Sequence, residues 1–152
     1  MKKIKLTQGK YALVDDKDFE YLNSFKWRAA KDRYTYYAVR SSKRKTMSMH
    51  RAIMEITSKL QTDHINGNGL DNRRKNLRVC THQENVINSR KQKNNTSGYK
   101  GVGWEKRRKK WIARITKSGK NKYLGQFDTA KQAYAAYCEA AKELHKDFAR
   151  LF

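Results

Sequence analysis

Apolar and polar positions alternate in short runs at both ends of the chain and take helical spacing between and after them. Lys3–Leu6 and Tyr11–Val14 flank a Gln8-Gly9 turn and predict a hairpin. Asp15, Asp16, Asp18 and Glu20 crowd one stretch, as suits the start of a helix running to about Phe25. Tyr34–Arg40 is rich in aromatic and β-branched residues and predicts a strand, and His50–Ile56 has the spacing of a short helix. Gln61–Ile65 and Leu77–Cys80 predict two strands around the turn-forming Asn66-Gly67-Asn68-Gly69. Thr81 and Glu84 then fit a capping box that opens a helix from His82 to about Arg90.

Beyond a polar, basic stretch with no periodicity, three more strands are predicted at Tyr99–Trp104, Trp111–Thr116 and Lys122–Phe127. Thr129 caps a last helix on which Ala133, Ala136, Tyr137, Ala140 and Leu144 share a face. In the middle of these strands, alternation puts Trp111, Ala113 and Ile115 against that helix and leaves Ile112, Arg114 and Thr116 outward. The fold class is therefore α+β. Residues 1–90 form a first module, 91–96 a basic linker, and 97–152 a three-stranded antiparallel sheet packed on one helix.

Charge changes this picture from fold to partner. The 36 Lys and Arg against 14 Asp and Glu give a formal net charge of +22, and such a chain binds polyanions. Thirteen of those basic residues fall between 90 and 122, with Glu105 the one acid there. Nucleic acid leads as partner. A membrane is disfavoured, because no apolar run approaches the roughly 20 residues needed to span a bilayer. The basic start lacks the apolar stretch of a signal peptide, so a cytoplasmic protein is expected. Cys80 and Cys138 form no CxxC pair, which supports neither a disulfide-linked partner nor a zinc site.

Phosphodiester hydrolysis needs a base for water and a cation at the phosphate. Asp63-His64 sets a carboxylate beside an imidazole at a strand end, and Asn85 and Asn88 share a helix face one turn apart. A carboxylate with an amide oxygen suits a hard cation such as Mg²⁺, with Mn²⁺ as the alternative, and the helix N-terminus favours a nearby phosphate. Arg73, Arg74 and Arg78 are candidate phosphate contacts. His50 reads as a packing or phosphate-contact residue, His82 as solvent-facing beside the cap, and His145 as a helix-surface residue.

The stretch TDHINGNGLDNRRKNLRVCTHQENVINSR, with MHRAIM upstream, resembles the ββα-metal motif of HNH endonucleases, particularly phage and intron-encoded homing enzymes. The resemblance covers residues 49–90. It implies that His64 is the general base, Asp63 and Asn85 hold one divalent cation, and Asn76 braces the loop that carries the base. It also implies a nick with 5′-phosphate and 3′-hydroxyl ends, made in a bacterial or phage-infected cell.

SGYKGVGW, KKWIARI and KYLGQFDTAKQAYAAYCEAA resemble the plant ethylene-response-factor DNA-binding domain. A basic sheet with interleaved aromatics suits a duplex groove. This second resemblance puts Lys100, Arg114, Thr116, Asn121 and Tyr123 at DNA-facing positions, with Trp104 within reach. Gly103, Arg114 and Asn121 stand where that family has an arginine, an acid and an arginine, so its base preference does not carry over. The expected function is a metal-dependent endonuclease acting on double-stranded DNA. The alternatives are a sequence-specific DNA-binding protein without nuclease activity and, last, an RNA-binding protein, for which no RNP-like pattern is present.

Overall fold

A computed structural model describes residues 1–42, 45–56, 59–92, 94–117 and 119–151. Lys93 of the expected linker lies outside the described residues. The chain divides into two compact units, Met1–Asn85 and Val86–Phe152. Each has its own core and antiparallel sheets, and the α+β class holds.

The first unit opens with the expected hairpin, β1 (Lys2–Lys5) against β2 (Tyr11–Val14), turned by Gln8 and Gly9 at positive φ. Helix α1 spans Asp16–Asn23 and ends short of Phe25, whose ring packs instead beside Trp27 and Tyr21. A three-stranded sheet follows: β3 (Arg28–Lys31), β4 (Tyr36–Ser42) and β5 (Lys45–Ser48), with β4 central. Neither β3 nor β5 stands out in the pattern. Their RAAK and KTMS sequences have little β propensity, and pairing with the aromatic-rich β4 recruits them.

Helix α2 (Met49–Met54) stops before Ile56 because Glu55 turns to φ 52°, in the left-handed region. Then come β6 (Gln61–His64), a 3₁₀ turn at Arg74–Asn76, β7 (Leu77–Cys80) and α3 (His82–Ile87). Thr81 and Glu84 make the reciprocal cap: the Thr81 N–H donates to Glu84 Oε2 at 2.8 Å, and the Glu84 N–H to Thr81 Oγ1 at 3.3 Å. The helix ends at Ile87, earlier than Arg90. Ile4, Ala12, Val14, Leu22, Trp27, Met49, Ile53 and Leu77 form one core shared by the strands and helices of the first unit, so residues 1–48 belong to the same hydrophobic body as the β6–β7 hairpin.

In the second unit, β8 (Val102–Glu105), β9 (Lys110–Lys117) and β10 (Lys120–Phe127) form the sheet, with β9 central. Helix α4 (Ala130–His145) begins at Thr129 with a capping box to Gln132. Its buried stripe is Ala133, Tyr137, Ala141 and His145, each one turn from the next. His145 is thus a buried residue, contrary to the surface position expected; the stripe reaches one turn further than its apolar residues announce. Ala113 and Ile115 pack on the helix and Arg114 and Thr116 point outward as their alternation requires, but Ile112, expected to be outward with them, is buried. Strand β8 starts later than Tyr99 because Gly101, at φ +74°, breaks the extended backbone. Both cysteines are free. No helix among the described residues is long and apolar enough to cross a membrane.

A Cβ at Gly101 would lie 2.1 Å from Tyr137 Cδ2 and 2.8 Å from the Arg114 carbonyl oxygen. Gly101→Ala therefore combines left-handed strain with overpacking and is expected to cost the second unit about 3 kcal/mol. Denaturant unfolding of the variant against the parent measures it, and a loss below about 1 kcal/mol would contradict this packing.

Candidate active site

Strand β6 delivers Asp63 and His64 as buried residues, each within a tenth of full exposure. Burial has opposite consequences for the two. The Asp63 carboxylate is paired: Arg78, its direct partner in the β6–β7 register, donates Nε and Nη2 to Asp63 Oδ2 at 2.9 and 2.7 Å. The His64 imidazole is held below its ordinary pKa, chiefly by desolvation, so at neutral pH it is the uncharged ring that can take a proton.

The segment between β6 and β7 carries the strongest restraints. Asn76 donates from Nδ2 to the Asp71 carbonyl at 2.7 Å and accepts at Oδ1 from the Asn66 N–H at 3.0 Å, tying the two ends of the loop together. The N-terminal hairpin clamps its centre. Leu13 donates to the Leu70 carbonyl and accepts from the Asn72 N–H, both at 2.8 Å, in a parallel bridge. Strand β4 holds the near side, where the Gly69 N–H donates to Thr35 Oγ1 at 3.0 Å. A Cβ at Gly69 would meet the Tyr37 ring at 2.5 Å, so only glycine allows this approach.

Two rings and an amide enclose His64 in a way no local pattern reveals. His50, at the start of α2, stands edge-on to His64 with centroids 5.0 Å apart, and Tyr37 lies 5.7 Å from each. On the other side His64 Nε2 is 3.3 Å from Oδ1 of Asn72, a residue with no solvent exposure. Asn72, Tyr37 and the contact of His50 with the base escape a sequence reading: Asn72 sits in a loop whose Asn and Asp residues look like turn formers, and the rings arrive by tertiary packing.

Asn85, on α3, donates from Nδ2 to Gln61 Oε1 at 2.8 Å. Gln61 and Asp63 alternate onto one face of β6, so this bond brings Asn85 to the strand that carries the carboxylate. Asn88 lies beyond α3 and is buried. His82 is exposed, with Nδ1 3.3 Å from Gln61 Nε2. Among the described residues no group of three or more His, Cys, Asp and Glu side chains is placed to hold a metal ion. The carboxylate of Asp63 and the amide oxygen of Asn85 are donor types that would fit a hard cation such as Mg²⁺.

The three arginines expected at phosphates each meet an acid. Arg73 makes a two-pronged pair with buried Asp71 at 2.6 Å, Arg74 pairs with Asp18 at 2.8 Å, and Arg78 holds Asp63. Arg74 also donates its N–H to Asp15 Oδ2 at 2.7 Å.

In the second unit, cross-strand pairs Arg114–Tyr123 and Thr116–Asn121 put these four side chains on one outward face. Thr116 Oγ1 donates to Asn121 Oδ1, and Tyr123 is half exposed. The register separates Trp104 from them: it pairs with Trp111 on the helix side of the sheet, with ring centroids 5.1 Å apart. Lys100 also departs from the outward position. Its ammonium donates to the carbonyls of Ile87 and Ser89, and burial, then Arg150, push its pKa down to about 8.

His50 gives the acid sensitivity a sign. Burial, then His64, push its pKa down to about 3, far under the 6.5 of an unfolded histidine. The unfolded chain takes the proton first, so stability is complete above pH 6.5 and falls as pH drops toward 3. At pH 5 the loss from His50 is about 2 kcal/mol. Thermal melts at pH 7 and pH 5 should show a smaller acid loss in His50→Phe than in the parent; equal losses would locate the sensitivity elsewhere.

Comparison with known proteins adds the family. An HNH endonuclease family model matches residues 55–87, which carry β6, β7 and α3, and an AP2 domain model matches 97–146, which carry the sheet and α4. Protein 3.8 of Escherichia phage T7 is 39% identical over 88 residues, covering 58% of this chain and 72% of its own length. An uncharacterised HNH endonuclease of Acanthamoeba polyphaga mimivirus is 30% identical over 148 residues, 93% of this chain and 74% of the relative. No solved structure matches significantly. A relative aligned along nearly the whole chain, together with the family match on the hairpin that bears His64, shows that this chain belongs to the HNH endonuclease family.

Proposed function

We propose that this chain is a metal-dependent endonuclease that hydrolyses phosphodiester bonds in double-stranded DNA, a phage or homing-type nickase with one catalytic site per chain. The observation that carries this reading is the buried His64 at the end of β6, next to the Asp63 carboxylate and leading into a loop braced by Asn76. Neutral His64 accepts a proton from the water that attacks phosphorus, and Asn76 keeps the loop from relaxing away from it. Asp63 and Asn85 would hold the divalent cation, which supplies charge stabilisation at the phosphate and the leaving 3′ oxygen when bound. The products would carry 5′-phosphate and 3′-hydroxyl ends. In the second unit, Arg114, Thr116, Asn121 and Tyr123 provide an outward face for the duplex.

A DNA-binding protein without nuclease activity is the second reading, favoured by one observation: Arg78 already neutralises the carboxylate assigned to the cation. Supercoiled plasmid incubated with Mg²⁺ or Mn²⁺ separates the two. The parent is expected to yield open circle, EDTA to stop it, and His64→Ala to slow it by at least about 100-fold with duplex affinity retained. Full activity in His64→Ala would remove the general-base assignment.

The Arg78–Asp63 pair gives a second check without turnover. Both side chains are well buried, so Arg78→Met leaves a carboxylate without its counter-charge and should cost about 3 kcal/mol in metal-free buffer. Millimolar Mg²⁺ should then raise the melting temperature of the variant more than that of the parent. An equal response in both would count against Asp63 as a ligand.

A further inference from the structure

Asn72 is the feature at the site that the hydrolytic reading leaves unused. Its side chain has no solvent exposure, so both ends of its amide must be satisfied internally. Nδ2 lies 3.5 Å from the Gly69 carbonyl oxygen and Oδ1 lies 3.3 Å from His64 Nε2. These two contacts settle which way the amide faces. A carbonyl oxygen accepts only, so the NH₂ end belongs against Gly69; the reverse orientation would set two acceptors face to face. The amide oxygen then faces the imidazole, and an amide oxygen also accepts only. His64 Nε2 must therefore carry the ring proton, and Nδ1 carries the lone pair.

The amide cannot swing away from this position easily. The Asn72 N–H is bonded to the Leu13 carbonyl on β2 at 2.8 Å, and Gly69 is bonded through its N–H to Thr35 Oγ1 beside β4. The Tyr37 ring fills the space where a Cβ at Gly69 would stand. Two elements of the N-terminal segment thus hold the backbone at Asn72 and at Gly69, and the Asn72 amide they fix faces the base.

We propose that Asn72 is the positioning residue of the catalytic base, its buried amide oxygen selecting the Nε2–H tautomer of His64 so that Nδ1 takes the proton from water, with the N-terminal hairpin and β4 holding the amide in place. This rests on His64 being the general base. No covalent step is added: the proton leaves water for Nδ1 and Nε2–H stays bonded to Asn72 throughout. An imidazole with its proton on Nδ1 would present the wrong nitrogen, and the loss on removing the selecting group is one of turnover and not of binding.

The test uses the full chain with ¹⁵N-labelled histidine. Long-range ¹H–¹⁵N spectra at neutral pH report which ring nitrogen of each histidine is protonated, and His64→Ala assigns the His64 signals among the four histidines. The parent is expected to show His64 protonated at Nε2. Asn72→Leu removes the acceptor; the tautomers should then mix, and kcat for plasmid nicking should fall at least about tenfold with KM and duplex affinity unchanged. A His64 proton on Nδ1 in the parent would overturn the proposal, as would a folded Asn72→Leu protein with unchanged tautomer and kcat. If Asn72→Leu does not fold, the tautomer of the parent decides it. Full nicking by His64→Ala would instead overturn the base assignment, an outcome read from turnover alone and separate from the tautomer.

Discussion

Backbone groups of a polar loop have nowhere to go once the loop is buried, unless the rest of the fold supplies partners for them. The segment between β6 and β7 lives under that constraint, and much of the first unit is arranged around it. Asn76 closes the loop on itself, Leu13 takes and gives a main-chain bond at its centre, Thr35 receives Gly69, and Asp15 receives Arg74. The bonds from Leu13, Thr35 and Asp15 are local in space and distant in sequence. A ββα unit of ~30 residues has too little core to hold such a loop alone. The N-terminal hairpin and the β4 sheet supply both the apolar mass and the missing partners, which gives residues 1–48 a role that their own sequence does not announce.

The charges divide along similar lines. The chain is strongly cationic, yet around the loop the arginines are matched one to one with acids: Arg73 with Asp71, Arg74 with Asp18, Arg78 with Asp63. These pairs range from well buried to part exposed, so their value differs. Arg78–Asp63 is the most enclosed and Arg74–Asp18 is the most screened by water. In the second unit Arg114 stands exposed on the outward face of the sheet, where a phosphate meets less competition from protein carboxylates. On the proposed reading, affinity for a polyanion and the geometry of the hydrolytic site would draw on different basic residues.

Legibility in the sequence follows the same division between local and distant. Asp63, His64, Asn76 and Asn85 are readable because their spacing is fixed within one hairpin and helix, and both capping boxes are readable because a cap is complete within four residues. Strands β3 and β5 are not, since partner strands create them. Asn72 is hidden for a different reason. In a stretch such as NGNGLDNRRKN every Asn and Asp has the chemistry of a turn former, and only the fold distinguishes the one that is fully buried against an imidazole. Lys100 shows the converse: a basic residue next to a sheet reads as outward, but the unsatisfied carbonyls at the end of α3 are a nearer destination for its ammonium.

The pairing of Asp63 with Arg78 links these points to the chemistry. The β6–β7 register sets the two residues directly opposite each other, so the arginine is placed by the same hairpin that places the base. A carboxylate this enclosed needs a counter-charge at every stage, and a guanidinium and a divalent cation both answer that need through oxygen. On the reading proposed above, the cation need not drive Arg78 out of the site. The guanidinium holds Oδ2 through Nε and Nη2, and its planar fork is also of a kind that suits a doubly bonded contact with phosphate. On that reading the arginine that stabilises the resting site is also a group able to meet the charge that hydrolysis would develop, and the hairpin register is what places it beside the carboxylate.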